Sequence, residues 1–94
     1  MKPCVVTLGK QAEKQLKRLP TYIKEALLAW ALAVEDEGIR KARKLPGYHD
    51  EPLSGDRKGQ RSIRLSRAYR AFYIEDERLK EITILVIEVN RHDY

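Results

Sequence analysis

A run of basic residues in the middle of the chain is the feature most able to support chemistry. Ten of the nineteen Lys and Arg residues lie between Ile39 and Arg70, against three acids, so this segment carries a net charge of +7. The 38 residues before it carry +1 and the 24 after it carry −3. Charge concentrated in this way favours an anionic partner, and a polyphosphate backbone is the usual one.

The residue types in and around this run fit cleavage of an RNA phosphodiester without a metal. A carboxylate can take the proton of the ribose 2′-hydroxyl, arginines can stabilise the charge that grows on the phosphoryl oxygens, and a protonated histidine can donate to the departing 5′-oxygen. The candidates for these roles are His49, Asp50, Glu51, Arg64, Arg70 and His92. Candidates for binding the substrate are Arg57, Lys58, Arg61, Arg67 and the aromatic Tyr94.

Each candidate also has a plainer interpretation. Arginines on strands often form a solvated face, a histidine near a chain end is often a free surface side chain, and an acid before a proline can simply position a loop. Other kinds of site find no support, because two His and one Cys show no metal-ligand spacing and the glycines fit no phosphate loop. Composition alone therefore leaves a catalytic surface and a binding surface both open.

Changes in hydrophobic period predict the elements that position these side chains. The predicted order is a strand at 5–8, a helix from residue 10, a helix at 21–37, a helical turn within 39–45, a loop at 48–59, and strands at 61–66, 69–74 and 81–89. This pattern predicts an α+β fold of β-α-α-β-β-β order. Its four-stranded, mostly antiparallel sheet pairs the first strand with the last and packs against a helix hairpin.

Length and composition place the chain among small globular domains. Ninety-four residues predict one domain, spanning 1–94. The single Cys4 lies in an apolar run and is expected in the core rather than in catalysis. No apolar stretch has the length of a membrane span, so the expectation is a reduced, soluble, cytoplasmic protein.

The segment from Glu51 to Tyr73 resembles the core of bacterial toxins of the RelE/ParE superfamily, most closely the HigB-like and YoeB-like branches. The recurring pattern is Pro-Leu, a polar loop with Gly, a strand of the form Ser-x-Arg-aliphatic, a turn, and aromatic-Arg-x-x-Tyr. It is matched at 52–53, 62–65 and 69–73, and the chain also has the His-x-Tyr ending at 92–94.

The resemblance implies a toxin of a type II toxin–antitoxin pair that cleaves mRNA on the ribosome. It implies Glu51 as general base, Arg64 and Arg70 as ligands of the scissile phosphate, and His92 as general acid. Tyr94 matches the terminal aromatic that stacks on a base, although Asp93 separates it from His92 here. RelE-like members carry lysines where this chain has Ser62, so a lysine-dependent mechanism is not implied.

Two other functions stay open on the same residues. One is a non-catalytic poison of DNA gyrase, as in the ParE branch of the superfamily, and the other is a plain RNA-binding module. The implied partners are mRNA, the ribosome and a cognate antitoxin, with no cofactor and no membrane. Leu28 and Leu32 form a second apolar row on the predicted long helix, and either this row or the basic surface is expected to bind the antitoxin.

Overall fold

A five-stranded sheet organises the structure, which is a computed structural model describing residues 2–91. The elements are β1 (Cys4–Leu8), α1 (Lys10–Leu16), α2 (Thr21–Glu37), α3 (Ile39–Ala42), β2 (Glu51–Pro52), a 3₁₀ turn (Gly55–Arg57), β3 (Arg61–Arg64), β4 (Tyr69–Glu77) and β5 (Ile82–Arg91). The strand order is β1-β5-β4-β3-β2. The α+β class and the order of the main elements predicted from the sequence are confirmed.

The predicted pairing of the first strand with the last is also confirmed. Strand β1 runs parallel to β5, with Val6 opposite Ile84, whereas every other pair in the sheet is antiparallel. Strand β5 therefore lies between β1 and β4, as its apolar residues on both faces predicted. Its core-facing Ile84 and Val86 are fully buried.

The predicted strand count was one too low. Within the expected loop at 48–59, Glu51 and Pro52 form a two-residue edge strand, which pairs with Ser62 and Arg61 of β3. A strand this short has no visible alternation of polar and apolar residues, so the sequence pattern could not show it. Proline suits the position because an edge strand leaves one side of its backbone without ladder hydrogen bonds.

Helix α2 covers the core. Its inward side chains Ile23, Leu27, Trp30 and Val34 are 0–5% exposed. Burial of each contributes roughly 1.5–3 kcal/mol, which explains why the long apolar stripe was a dependable signal. The helix ends at Gly38, whose φ of 90° is a conformation that favours glycine.

Helix α1 ends at Leu16, before the last residue of its predicted stripe, Leu19. Its Gln15 has a structural task, because β5 continues past the end of β1 and would leave its backbone unpaired there. Gln15 Oε1 accepts from the Val89 backbone N–H at 2.6 Å. Gln15 Nε2 donates to Asn90 Oδ1 at 3.0 Å.

The reversal between β4 and β5 was predicted too early. The charged run at 75–78 predicts a turn, but Glu77 pairs with Ile82 and the chain reverses between Arg78 and Glu81, where the Arg78 N–H donates to the Glu81 carbonyl at 2.8 Å. Backbone pairing with β5 outweighs the weak strand propensity of the acids. Within residues 2–91, no helix combines the length and the apolar character needed to cross a membrane.

Candidate functional site

Strands β3 and β4 place two arginines opposite each other on one face of the sheet. In the antiparallel register, Arg64 pairs with Arg70 and Ser62 pairs with Phe72. Side chains alternate along a strand, so these four share one face. The residues between them, Ile63 and Ala71, are fully buried on the helix side. We call the face that carries Arg64 and Arg70 the open face.

Edge strand β2 brings Glu51 to the same place. Glu51 pairs with Ser62, and its Oε1 lies 3.5 Å from Arg70 Nη1. The same guanidinium nitrogen donates to Ser62 Oγ at 3.3 Å. Ser62 is 1% exposed, so its hydroxyl is a fixed support for Arg70. The Glu51 side chain is 58% exposed and the Arg70 side chain 18%, which leaves the carboxylate accessible beside a constrained cation.

Arg64 adds a second cation to this face. Its guanidinium has no acidic partner within residues 2–91, whereas its backbone N–H donates to the Tyr48 carbonyl at 2.6 Å. That backbone bond joins the strand to the loop that precedes β2. The open face thus presents two neighbouring guanidinium groups of which one, Arg70, shares its charge with Glu51.

Arg57 also lies over this face, but its charge is already paired. Its Nη2 donates to both carboxylate oxygens of Glu88 at 3.0 and 3.1 Å, and its Nη1 donates to Gln60 at 2.9 Å. Its guanidinium carbon sits 4.3 Å from the centre of the Phe72 ring. The sequence pattern did not indicate this cluster, because Arg57 and Glu88 are 31 residues apart. One lies in the predicted loop and the other in the last predicted strand, and neither pattern indicated a contact between them.

The helix side of the same strands holds a second polar cluster, centred on Asp50. Its side chain is 0% exposed, and it accepts from Arg61 Nε at 2.6 Å and from the Tyr73 hydroxyl at 2.6 Å. Tyr73 also accepts from Arg43 Nε at 3.3 Å, and Arg43 pairs with Glu75 at 2.6 Å. We call these five residues the inner network.

The inner network changes the titration of its tyrosine. Burial raises the pKa of the Tyr73 hydroxyl well above its usual value, and the hydrogen bond to Asp50 raises it further, while the bond from Arg43 opposes them. The hydroxyl is therefore a donor to Asp50 at any physiological pH. With one arginine and one tyrosine donating to it, the Asp50 carboxylate is satisfied inside the protein.

The remaining predicted site residues divide between these two surroundings. Arg61, predicted to bind substrate, has its guanidinium on the helix side in the inner network rather than on the open face. Lys58 and Arg67 are exposed, in the loop before β3 and in the turn after it. His92 and Tyr94 lie outside the described residues. Asn90, two positions before His92 in the chain, is the register partner of Arg70.

A cavity of about 410 Å³ lies away from the open face, between the beginning of β1 and α3, and Cys4, Ile39 and Ile82 are among its lining residues. It contains none of the predicted site residues. The described part of the chain also has no group of three His, Cys, Asp or Glu residues placed to hold a metal ion. The residues brought together are therefore Glu51, Ser62, Arg64 and Arg70, on the open face.

Solved structures similar to this one include bacterial toxins. The toxin–antitoxin complex RelBE2 of Mycobacterium tuberculosis matches with a TM-score of 0.70 and 24% identity, covering 96% of this chain and 99% of that chain. The YoeB/ParE toxin of Agrobacterium tumefaciens matches with a TM-score of 0.61 and 23% identity over 99% and 100% of the two chains. The YoeB–YefM complex of Staphylococcus aureus matches with a TM-score of 0.64 and 20% identity over 95% of each.

No protein-family profile matches the chain, and no curated protein matches it by sequence. What the similar structures share with this chain is the fold of the whole domain. The chain has the RelE-like toxin fold over nearly its entire length.

Proposed function

We propose that this protein is the toxin of a type II toxin–antitoxin pair and that it is a metal-independent endoribonuclease acting on mRNA, in the cytoplasm, at the ribosome. The observation that carries the proposal is the meeting of Glu51, Ser62 and Arg70 on one exposed face with Arg64 beside them. The shared fold and the presence of RelE-, YoeB- and YafQ-type toxins among the similar structures support the same function.

The proposed reaction starts with the ribose 2′-hydroxyl. Glu51 takes its proton, and the 2′-oxygen attacks the adjacent phosphorus. The bond to the 5′-oxygen breaks, His92 protonates that oxygen, and the products are a 2′,3′-cyclic phosphate and a 5′-hydroxyl. Arg64 and Arg70 hold the non-bridging oxygens, whose negative charge grows as the new bond forms. No other reactant is needed.

The structure gives a reason to choose Glu51 over its neighbour Asp50 as the base. Asp50 is fully buried and bonded at 2.6 Å to both Arg61 and Tyr73, so it has no free access to a substrate. Glu51 is exposed, and 3.5 Å separates it from its nearest guanidinium nitrogen. That distance is longer than a charge-assisted hydrogen bond, so little has to be broken before Glu51 accepts a proton.

Binding of the substrate is assigned more broadly. Lys58 and Arg67 are exposed in the segments that flank β3, and we assign them long-range attraction for the RNA backbone. Tyr94 is assigned to base stacking on the strength of the sequence resemblance alone. Arg61 takes no part in this proposal, because its guanidinium is committed to Asp50 on the helix side.

A non-catalytic ParE-like poison of DNA gyrase is the second candidate on this fold. One of the similar structures, from A. tumefaciens, is named a YoeB/ParE toxin. The two functions differ in what stops first after induction, since RNA cleavage arrests translation and a gyrase poison damages DNA. The acid-and-arginine set on the open face favours cleavage, since a gyrase poison has no phosphodiester of RNA to break.

An antitoxin partner is proposed because two of the similar structures, RelBE2 and YoeB–YefM, are toxin–antitoxin complexes. Leu28 and Leu32 are 59% and 57% exposed on the outer side of α2, which leaves an apolar row available to a partner. The Leu28→Asp variant should lose protection by the antitoxin in a growth assay while it keeps its toxicity. Unchanged protection would remove this row as a docking site.

Primer extension on a message translated in a reconstituted system tests the proposal. Wild type should give discrete cleavage sites, and Arg70→Ala and His92→Gln should each cleave at least about 100-fold more slowly. Arg18→Ala is the matched control, since it removes one exposed arginine from the segment between α1 and α2. Equal cleavage by Arg70→Ala and wild type would refute the role assigned to Arg70. DNA damage in induced cells without cleavage of the message would favour a gyrase poison.

A further inference from the structure

Arg57 differs from the other arginines of the open face because its guanidinium lies over an aromatic ring and is hydrogen-bonded to both an acid and an amide. The Phe72 ring lies under it, with 4.3 Å between the guanidinium carbon and the ring centre. Glu88 receives two hydrogen bonds from Nη2, and Gln60 receives one from the other terminal nitrogen, Nη1. Both terminal nitrogens of the guanidinium are thus hydrogen-bonded, and its central carbon lies over the Phe72 ring.

The other side of the group remains available. The Arg57 side chain is 40% exposed, whereas its partner Glu88 is 16% exposed. A guanidinium whose Nη2 already donates to both carboxylate oxygens is a poor phosphate ligand, because a phosphate would have to displace the Glu88 carboxylate first. The exposed part of the Arg57 side chain is unaffected by that pairing. Planar guanidinium groups and aromatic rings are the surfaces on which proteins stack unpaired bases of RNA.

The position of this stack relative to the reaction centre follows from the strand register. Phe72 is flanked by Ser62 on β3 and by Glu88 on β5. Ser62 in turn supports the Arg70 guanidinium. Phe72 and Arg70 are two residues apart on the same face of β4, so about 7 Å of strand separates the Arg57–Phe72 pair from the group proposed to hold the scissile phosphate.

We propose that the outer face of the Arg57 guanidinium, backed by Phe72 and fixed by Glu88 and Gln60, is a binding platform for one unpaired nucleobase of single-stranded RNA next to the scissile bond. This inference rests on the proposed function and adds to it a role for Arg57 in stacking rather than in charge neutralisation. Recognition of this kind tolerates different bases, since every base has a flat surface.

The test is a cycle of protein and RNA changes, read by binding. The probe is a ten-nucleotide single-stranded RNA that is 2′-O-methylated throughout, so that the attacking hydroxyl is blocked, with an abasic residue moved along it one position at a time. Arg57→Lys keeps the charge and removes the plane. Arg18→Lys is the control, since Arg18 is an exposed arginine in the segment between α1 and α2 and is not part of the sheet.

With the intact RNA, Arg57→Lys should bind at least about fivefold more weakly than wild type, as expected for loss of one stacked base. At one abasic position the wild type should weaken by a similar factor, and there Arg57→Lys should add no further loss. An equal loss by Arg57→Lys on every RNA, abasic or intact, would mean that Arg57 acts only through charge or folding, and would overturn the inference.

A second variant keeps the result interpretable if Arg57→Lys unfolds. Phe72→Leu leaves an apolar side chain on the sheet and removes the flat support, so it should show the same dependence on the single abasic position. The absence of that dependence, in a variant that melts like wild type, contradicts the platform. Failure of the platform while Arg70→Ala still abolishes cleavage would leave the proposed function standing, whereas normal cleavage by Arg70→Ala would remove the function itself.

Discussion

The two faces of the β2–β3–β4 region use the same residue types in opposite ways. On the helix side, Asp50 is fully buried and takes two hydrogen bonds of 2.6 Å from Arg61 and Tyr73. On the open face, the adjacent Glu51 is 58% exposed and lies 3.5 Å from Arg70. Two acids that are neighbours in the chain thus lie in different surroundings, Asp50 in the inner network and Glu51 on the open face. A carboxylate is available for chemistry only where its hydrogen-bond partners leave it partly unsatisfied.

The same contrast separates the arginines of one short strand. Arg61 and Arg64 are three positions apart in β3 and carry the same group. The first is bound to a buried acid, and the second has no acidic partner in the described chain. Removing a charge from the inner network should therefore lower the stability of the protein, and removing a charge from the open face should lower its activity.

The largest expected effect is on cleavage by Arg70→Ala. Loss of a group that stabilises transition-state charge should slow cleavage about 10²–10³-fold, or roughly 3–4 kcal/mol in the barrier. The free energy of unfolding should fall by no more than about 1 kcal/mol, because its Glu51 partner is exposed. Single-turnover cleavage and urea unfolding measure the two quantities. A large loss of stability would show that Arg70 stabilises the fold, as the residues of the inner network do.

The converse variant is Asp50→Ala, which should act on stability. It leaves the Arg61 guanidinium and the Tyr73 hydroxyl without their acceptor, and breaking a buried pair on one side costs about 3 kcal/mol or more. Glu51→Ala is the matched control, and it should change the free energy of unfolding by less than about 1 kcal/mol. Urea midpoints of the two variants decide the matter. Similar destabilisation by both would erase the contrast between the neighbouring acids.

Much of the framework behind this contrast was visible in the sequence. The stripe of Ile23, Leu27, Trp30 and Val34 predicted α2 because burial of large apolar side chains recurs at helical spacing. Alternation along β3 placed Ser62 and Arg64 on the face opposite Ile63, and the register of β3 and β4 agrees. Local patterns of this kind predict the structure because each one buries its apolar side chains in the core.

What the sequence could not show is how the polar side chains pair across the sheet. Asp50 and Glu51 read as equivalent acids of one loop until β2 fixed which of them turns inward. The Arg57–Glu88 pair joins segments 31 residues apart. Pairing of this sort depends on strand register and on a β-bulge between Phe72 and Tyr73, and neither has a period that a sequence pattern can reveal.

A smaller effect is expected for Tyr73→Phe, which removes one donor to Asp50. At neutral pH it should cost about 1–1.5 kcal/mol of the free energy of unfolding. Because burial raises the pKa of Tyr73 in the folded protein, the unfolded chain loses this proton first as the pH rises. The stability that the neutral hydroxyl provides is therefore complete below about pH 10 and declines above it.

Wild type should accordingly lose stability between about pH 10 and 11.5 more steeply than Tyr73→Phe, by up to about 1.4 kcal/mol per pH unit. Urea unfolding at several pH values compares the two proteins, and the other tyrosines and the lysines, common to both, cancel in the difference. Parallel curves would mean that folding leaves the pKa of the Tyr73 hydroxyl unchanged and that the inner network does not shield this group from water.

The smallest and sharpest comparison uses the two arginines of β3. Arg64→Ala should remove one phosphate contact, so the logarithm of RNA affinity should fall less steeply with the logarithm of salt concentration, by about 0.7 for a single strand. Arg61→Ala removes the same charge from the same strand, yet it should leave that slope unchanged, because its guanidinium is bound to Asp50. Filter binding of the 2′-O-methylated RNA over a range of salt concentrations gives both slopes. Equal changes in the two slopes would mean that the net charge of the strand governs RNA binding. The face on which each arginine lies would then make no difference, which would contradict the assignment of binding to the open face and of stability to the inner network.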